Sequence, residues 1–132
     1  MINAREILDE FMNGVGTLAG MDGPFIDKFL ALDGAAGTGN GAIPDKTKEL
    51  IALGIGINKQ CKYCICVHTR GAYQAGATRE EIMAAAEVAI TMGGGPTVAY
   101  SATVLAAAMD EFEHDFDWLN WHLKITAIPE HT

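Results

Sequence analysis

The chain has 132 residues, a net charge of −8 and a pI of about 4.8. That length fits one domain, residues 1–132, with a real core, since a domain near 150 residues buries roughly 68–70% of its unfolded surface. The acidic balance argues against nucleic acid and anionic membranes as partners, and no stretch reaches the roughly 18 apolar residues of a membrane span.

Met1-Ile2-Asn3-Ala4-Arg5-Glu6 lacks a basic region followed by an apolar core. No signal peptide is therefore expected, and the expected compartment is the cytoplasm. Abundant alanine and few β-branched runs favour helix. Residues 3–12 form the first expected helix, with Ile7, Leu8, Phe11 and Met12 at helical spacing. Gly14, Gly16 and Gly20 loosen the segment after it. Pro24 suits the first position of a second helix, with Asp22 or Gly23 ahead of it, and Phe25, Ile26, Phe29, Leu30 and Leu32 give it an apolar face. The glycine-rich stretch from Gly34 to Gly41 follows no strand and lacks a P-loop lysine. It reads as a flexible connector, not a phosphate cradle.

Ile43-Pro44-Asp45 opens a third helix, with Asp45 as N-cap and Ile43 as a staple. Leu50, Ile51, Leu53, Ile55 and Ile57 are apolar nearly all round, which predicts a largely buried helix. Gly54 and Gly56 weaken it but let another backbone approach closely. Asn58-Lys59-Gln60 is the break before a fourth helix, which carries the cysteines and ends ahead of Gly76, a natural C′ residue. A capping box, Thr78-Arg79-Glu80-Glu81, starts the fifth helix, which runs to about Met92. Gly93-Gly94-Gly95-Pro96 stops it and starts a sixth, with Val98, Tyr100, Val104, Leu105, Met109 and Phe112. Asp115 to Leu123 forms a last short helix with Trp118 and Trp121, and the tail beyond it carries no clear signal.

No internal repeat or domain boundary interrupts this pattern. The fold class expected is an all-α domain of six to seven helices with short connections. Met83, Met92 and Met109 read as core filler. The acidic run Asp110, Glu111, Glu113, Asp115 and Asp117 reads as a solvated face. The alanine-rich fifth and sixth helices invite close packing, and a small chain of this kind buries further apolar surface between copies, so a homo-oligomer is expected.

The chemistry concentrates in Cys61-Lys62-Tyr63-Cys64-Ile65-Cys66-Val67-His68. On a helix, positions three and four apart share a face, so Cys61, Cys64 and His68 converge while Cys66 points elsewhere, as a buried small apolar side chain. Three cysteines within six residues are no disulfide framework, and in a reducing compartment such a cluster is catalytic or metal-binding. Structural zinc needs four ligands, and no second CxxC or closely spaced histidine pair is present; His114 and His122 are eight apart. A c-type haem site needs His directly after the second cysteine, where Ile65 stands. No metal or other cofactor is expected. A thiol becomes a nucleophile on losing its proton, which a helix N-terminus and a neighbouring base both promote. If the third and fourth helices form a hairpin turning near Gln60, Glu49 lies 11 residues before the turn and His68 lies 8 after it. At about 1.5 Å per residue these are roughly 16 and 12 Å from the turn, nearly level. A relay is therefore within reach: Glu49 orients the imidazole, His68 takes the proton, Cys64 attacks, and Cys61 closes a disulfide with it. Tyr63 either packs or donates a hydrogen bond near the thiols.

Glu49, eleven residues, Cys61-Lys62-Tyr63-Cys64, three residues and His68 together resemble the motif of the AhpD-like alkylhydroperoxidase branch of the carboxymuconolactone decarboxylase family. The resemblance runs from about Pro44 to roughly Phe112, through the Asp45-to-Leu53 lead-in and the Gly76-to-Ile82 turn. It implies an all-α fold, a trimer or hexamer, and dithiol peroxidase or disulfide reductase chemistry on alkyl hydroperoxides or disulfides. It also implies an external thiol reductant, lipoyl or thioredoxin-like. By the same resemblance Cys64 attacks peroxide, Cys61 resolves, and Glu49 and His68 relay the proton. In the best-characterised members a further histidine precedes the second cysteine; here that place holds Tyr63. The decarboxylase branch usually lacks the cysteine pair. Two rival readings are a lactone-processing enzyme using His68 and Glu49 without the thiols, and a non-enzymatic redox-sensing oligomer.

Overall fold

Asn3 opens the first helix by accepting a hydrogen bond from the Glu6 N–H at 3.1 Å. In the computed structural model, which describes residues 1–126, this helix, α1, runs over Ala4–Gly34. The sequence predicts a short helix, a loose glycine segment and a new start at Pro24. The chain instead stays helical through Gly14, Gly16 and Gly20 and breaks only at Asp22, with φ −151° and ψ 72°. Glycine weakens a helix without stopping it. Asp22 breaks it with an extended backbone, and its side chain caps the next segment by accepting from the Phe25 N–H at 3.4 Å. Pro24 then sits in a first turn, where its missing N–H is no loss. The apolar face expected beyond it is unpartnered in the single chain: Ile26 is buried, but Phe25, Phe29, Leu30 and Leu32 are exposed.

The expected flexible connector is largely helical. α1 continues into a π-turn over Ala35–Gly39, and only residues 40–44 form a loop. α2 spans Asp45–Asn58, and Asp45 is not its N-cap. Pro44 takes that place with ψ 151°, so Asp45 lies one position inside, its carboxylate at the positive end of the helix. The prediction of a largely buried helix also fails. Leu53, Gly56 and Ile57 are buried, whereas Ile51 and Ile55 are about half exposed, at 50% and 53%. The reason is that α2 packs against α3 (Lys62–Gln74) on one side and α4 (Arg79–Gly93) on another, leaving a third apolar face open.

Gln60, at φ 53°, turns the chain from α2 into α3, and Gly76, at φ 90°, follows the end of α3. The capping box at Thr78 closes in both directions, with Glu81 N–H to Thr78 Oγ1 at 3.1 Å and Thr78 N–H to Glu81 Oε1 at 3.0 Å. The helix expected after Pro96 is divided into α5 (Gly95–Tyr100) and α6 (Ala106–Phe112) by a π-turn over Ser101–Leu105. The last helix, α7, begins at Asp117 rather than Asp115 and reaches Thr126. The tail beyond lies outside the described residues. Among those residues no strand occurs, and no helix is long and apolar enough to cross a membrane.

α3 is the central element, packed against α1, α2 and α6. Its Ile65, Cys66, Ala72 and Tyr73 meet Leu53 and Ile57 of α2, Ile82 and Ala86 of α4, and Ala108, Met109 and Phe112 of α6 in one buried cluster. Of the methionines expected in the core only Met109 is there; Met83 and Met92 are exposed.

The acidic run is not simply a solvated face. Asp115 accepts from Arg5 of α1 at 2.8 Å and from Arg70 of α3 at 3.1 Å, and its side chain is only 17% exposed. The Arg5 hydrogen bond, then that of Arg70, hold its carboxyl below the ordinary value of 3.8 against the opposing effect of burial. Glu111 pairs with Arg5, and Asp110 and Glu113 pair with Arg79. The guanidinium of Arg5 lies 4.9 Å from the Phe112 ring centroid, and that of Arg70 lies 4.7 Å from that of Phe116. Sequence spacing alone could not supply these partners, since Arg5 and Asp115 are 110 positions apart.

Candidate redox site

Cys61 is the N-cap of α3, with extended backbone at φ −102° and ψ 100°. Its sulfur accepts from the Cys64 N–H at 3.2 Å, as a serine or aspartate oxygen would at the same position. The two cysteines therefore occupy the positive end of a 13-residue helix. They are joined as a disulfide, with their Cα atoms 5.3 Å apart. Beneath them α2 comes close because residue 56 has no side chain: a Cβ at Gly56 would lie 2.9 Å from the Cβ of Cys64.

One turn along α3 from Cys64, His68 Nδ1 lies 2.8 Å from Oε2 of Glu49, which projects from α2. The near-level heights expected for these residues are what the hairpin between α2 and α3 produces. Both side chains are partly exposed, at 27% for His68 and 31% for Glu49. An ionised carboxylate can only accept, so Nδ1 carries the proton and Nε2 is left as the accepting nitrogen of the neutral ring. The structure thus joins Cys61 with Cys64 at the head of α3, and one turn on joins His68 of α3 with Glu49 of α2.

Tyr63 faces α1. Its hydroxyl donates to Glu10 Oε1 at 2.9 Å, its ring centroid lies 6.1 Å from that of Phe11, and the ammonium of Lys62 lies 5.1 Å from it. It anchors the dipeptide between the cysteines to α1. Nothing in sequence spacing points to Glu10, which stands 53 residues away. Cys66 is fully buried in the core, where desolvation pushes its thiol up to about 11 and keeps it protonated and inert. Burial likewise pushes Tyr73 up to about 12, and its hydroxyl donates to the Met109 carbonyl at 3.2 Å. His114 pairs with Asp117 at 2.9 Å, and the His122 ring lies against Trp118 and Trp121. Among the described residues no group of three or more His, Cys, Asp or Glu side chains is placed to hold a metal ion.

The chain is similar to known proteins in sequence and, for one solved structure, in fold. An uncharacterized protein of Cupriavidus necator is 39% identical over 71 residues, a match that spans 54% of this chain and 63% of that protein. An uncharacterized protein encoded in the cox locus of Paracoccus denitrificans is 40% identical over 87 residues, 66% of this chain and 77% of its own length. The crystal structure of an apo carboxymuconolactone decarboxylase family protein from Legionella pneumophila superposes with a TM-score of 0.77 at 34% identity, over 83% of this chain and 96% of that one. A sequence model of the carboxymuconolactone decarboxylase family matches residues 24–107, so the likeness begins well before Pro44 and takes in the distal part of α1. With most of its length matched and its fold shared, the chain belongs to the carboxymuconolactone decarboxylase family.

Proposed function

We propose that the protein is a cysteine-dependent peroxidase or thiol–disulfide oxidoreductase of the AhpD-like branch of its family, acting on alkyl hydroperoxides. The observation that carries this reading is the Cys61–Cys64 disulfide at the head of α3, one turn from a hydrogen-bonded Glu49–His68 pair. In the reduced protein, His68 takes the Cys64 proton while Glu49 steadies the resulting imidazolium. The thiolate attacks one peroxide oxygen, the O–O bond breaks, and the alkoxide leaves with the proton held by His68. Cys64 is then a sulfenic acid, oxidised by two electrons. Cys61 attacks its sulfur, water leaves, and the disulfide forms. An external dithiol, lipoyl or thioredoxin-like, returns the two electrons by exchange through a mixed disulfide. A reducing compartment such as the cytoplasm would supply that dithiol, and the activity would be an antioxidant one.

Thiol counting tests this directly. The reduced protein, unfolded and alkylated, shows three modifiable thiols; after one equivalent of alkyl hydroperoxide it should show one, that of Cys66, with Cys61 and Cys64 linked. Three thiols still free after peroxide would sink the reading. Family membership favours one rival, a lactone-processing reaction that uses only Glu49 and His68. Turnover of a lactone that survives full alkylation of the thiols would support it.

A homo-oligomer, trimeric or hexameric, is part of the same proposal. Ile51, Ile55, Val88 and Met92 are exposed and line an apolar groove of about 630 Å³ between α2 and α4. Contiguous exposed apolar surface of this kind marks an interaction site. Light scattering at micromolar concentration should give a mass three or six times the 14.0 kDa of one chain, and a monomer mass would overturn it.

A further inference from the structure

The Glu49–His68 pair depends on what residue 71 lacks. Gly71 lies on α3 three positions beyond His68, on the same helical face. A Cβ built there would come 2.6 Å from Glu49 Oε2, 2.8 Å from its Cδ and 3.1 Å from its Oε1. These are the three nearest atoms, and Oε2 is the same oxygen that binds His68 Nδ1. The carboxylate therefore rests on bare α3 backbone. Glycine is not there for its backbone freedom: Gly71 lies inside α3, in its last turn, and the positive-φ glycines are Gly76 and Gly94. In that setting glycine destabilises the helix relative to alanine.

We propose that Gly71 is a positioning residue of the redox site, the seat that holds the Glu49 carboxylate within hydrogen-bonding distance of His68. Its consequence for turnover rests on the peroxidase reading, whereas its effect on the pair does not. Gly56 provides the contrast. A Cβ at Gly56 meets the Cβ of Cys64, which is attached to backbone, so substitution there must move α2 away from α3. At Gly71 the obstructing atoms are the tip of a flexible and partly exposed side chain, which can swing into solvent. The loss then falls on the hydrogen bond and not on the packing.

The test is Gly71→Ala in the full chain, beside Glu49→Ala and the double variant. Three quantities are measured: the melting temperature, the His68 tautomer by nitrogen-resolved NMR (assigned from its absence in His68→Asn), and peroxide turnover with excess dithiol. Gly71→Ala should melt at or above the wild-type temperature. It should lose the Nδ1–H tautomer that the contact with Glu49 requires in the wild type, as Glu49→Ala should. Turnover should fall by the same factor in both single variants, with no further loss in the double variant, because both remove one interaction. Retention of the Nδ1–H tautomer in Gly71→Ala overturns the proposal, as does a lowered melting temperature with the tautomer intact, which would make Gly71 a packing residue only. If the wild type consumes no peroxide, the tautomer still decides: its loss in Gly71→Ala upholds the seat while the peroxidase reading fails.

Discussion

Replacing Cys64 by serine should bring peroxide consumption down to the rate of the dithiol reductant alone, whereas Cys61→Ser, assayed without an external thiol, should consume one equivalent and stall. The two outcomes differ because the two sulfurs stand differently on α3. Cys64 lies four positions before His68 and faces the same way, so it is the thiol the imidazole can deprotonate. Cys61 caps the helix and accepts the Cys64 N–H at 3.2 Å. In the reduced protein that contact would favour a Cys61 thiolate, which suits it to the proposed role of resolving a sulfenic acid and leaving when the disulfide is reduced. In Cys61→Ser the resolving thiol is gone. Cys66 cannot replace it, buried in the core with its thiol pushed up to about 11. The stalled variant should carry one sulfenic acid, trapped at Cys64 by a dione reagent and located by mass spectrometry. Undiminished steady-state turnover in Cys64→Ser would refute the mechanism. A single turnover in Cys64→Ser with none in Cys61→Ser would exchange the two roles.

Phe112→Ala should lower stability by about 3–5 kcal/mol, the range for deleting a fully buried aromatic ring. Phe112 is wholly inaccessible and ends α6 within the cluster to which α2, α3 and α4 contribute. Its ring also lies beneath the Arg5 guanidinium, whose hydrogen bonds to Glu111 and Asp115 tie α1 to the far end of the chain. Removing the ring leaves a cavity and loosens that clamp together. Against a total of about 5–15 kcal/mol for a domain, this is a large fraction. Urea unfolding should show a lower midpoint at unchanged slope. A loss under about 1 kcal/mol would mean that the site collapses to fill the space, contrary to the close packing described.

Much of the helical framework was legible in the residues. Thr78 and Glu81 form the capping box they spell, Gly76 adopts its left-handed φ of 90°, and Gly56 marks a close approach between helices. The first two features are local: each is decided within one turn by the residues of that turn. The readings that failed concern helix ends and partners. Asp45 was displaced from the cap by its neighbour Pro44, and Ile51, Ile55 and Met92 lie exposed on a face that no other element covers among the described residues. Periodicity shows which residues are apolar but not what will cover them.

The candidate site divides along the same line. An all-α chain with a dithiol at the start of one helix and an imidazole one turn on follows from the residues alone, because helical spacing is set by 3.6 residues per turn wherever the helix forms. The residues also place Glu49 at the right height, since the short connection around Gln60 leaves a hairpin little choice. Only the tertiary structure decided that the carboxylate closes on Nδ1 at 2.8 Å, that Gly71 makes room for it, that Tyr63 turns to Glu10, and that Arg5 and Arg70 share Asp115. Those contacts join side chains from different helices, and their distances depend on how closely two backbones pack. That closeness is set by the whole core at once and by no single stretch of residues.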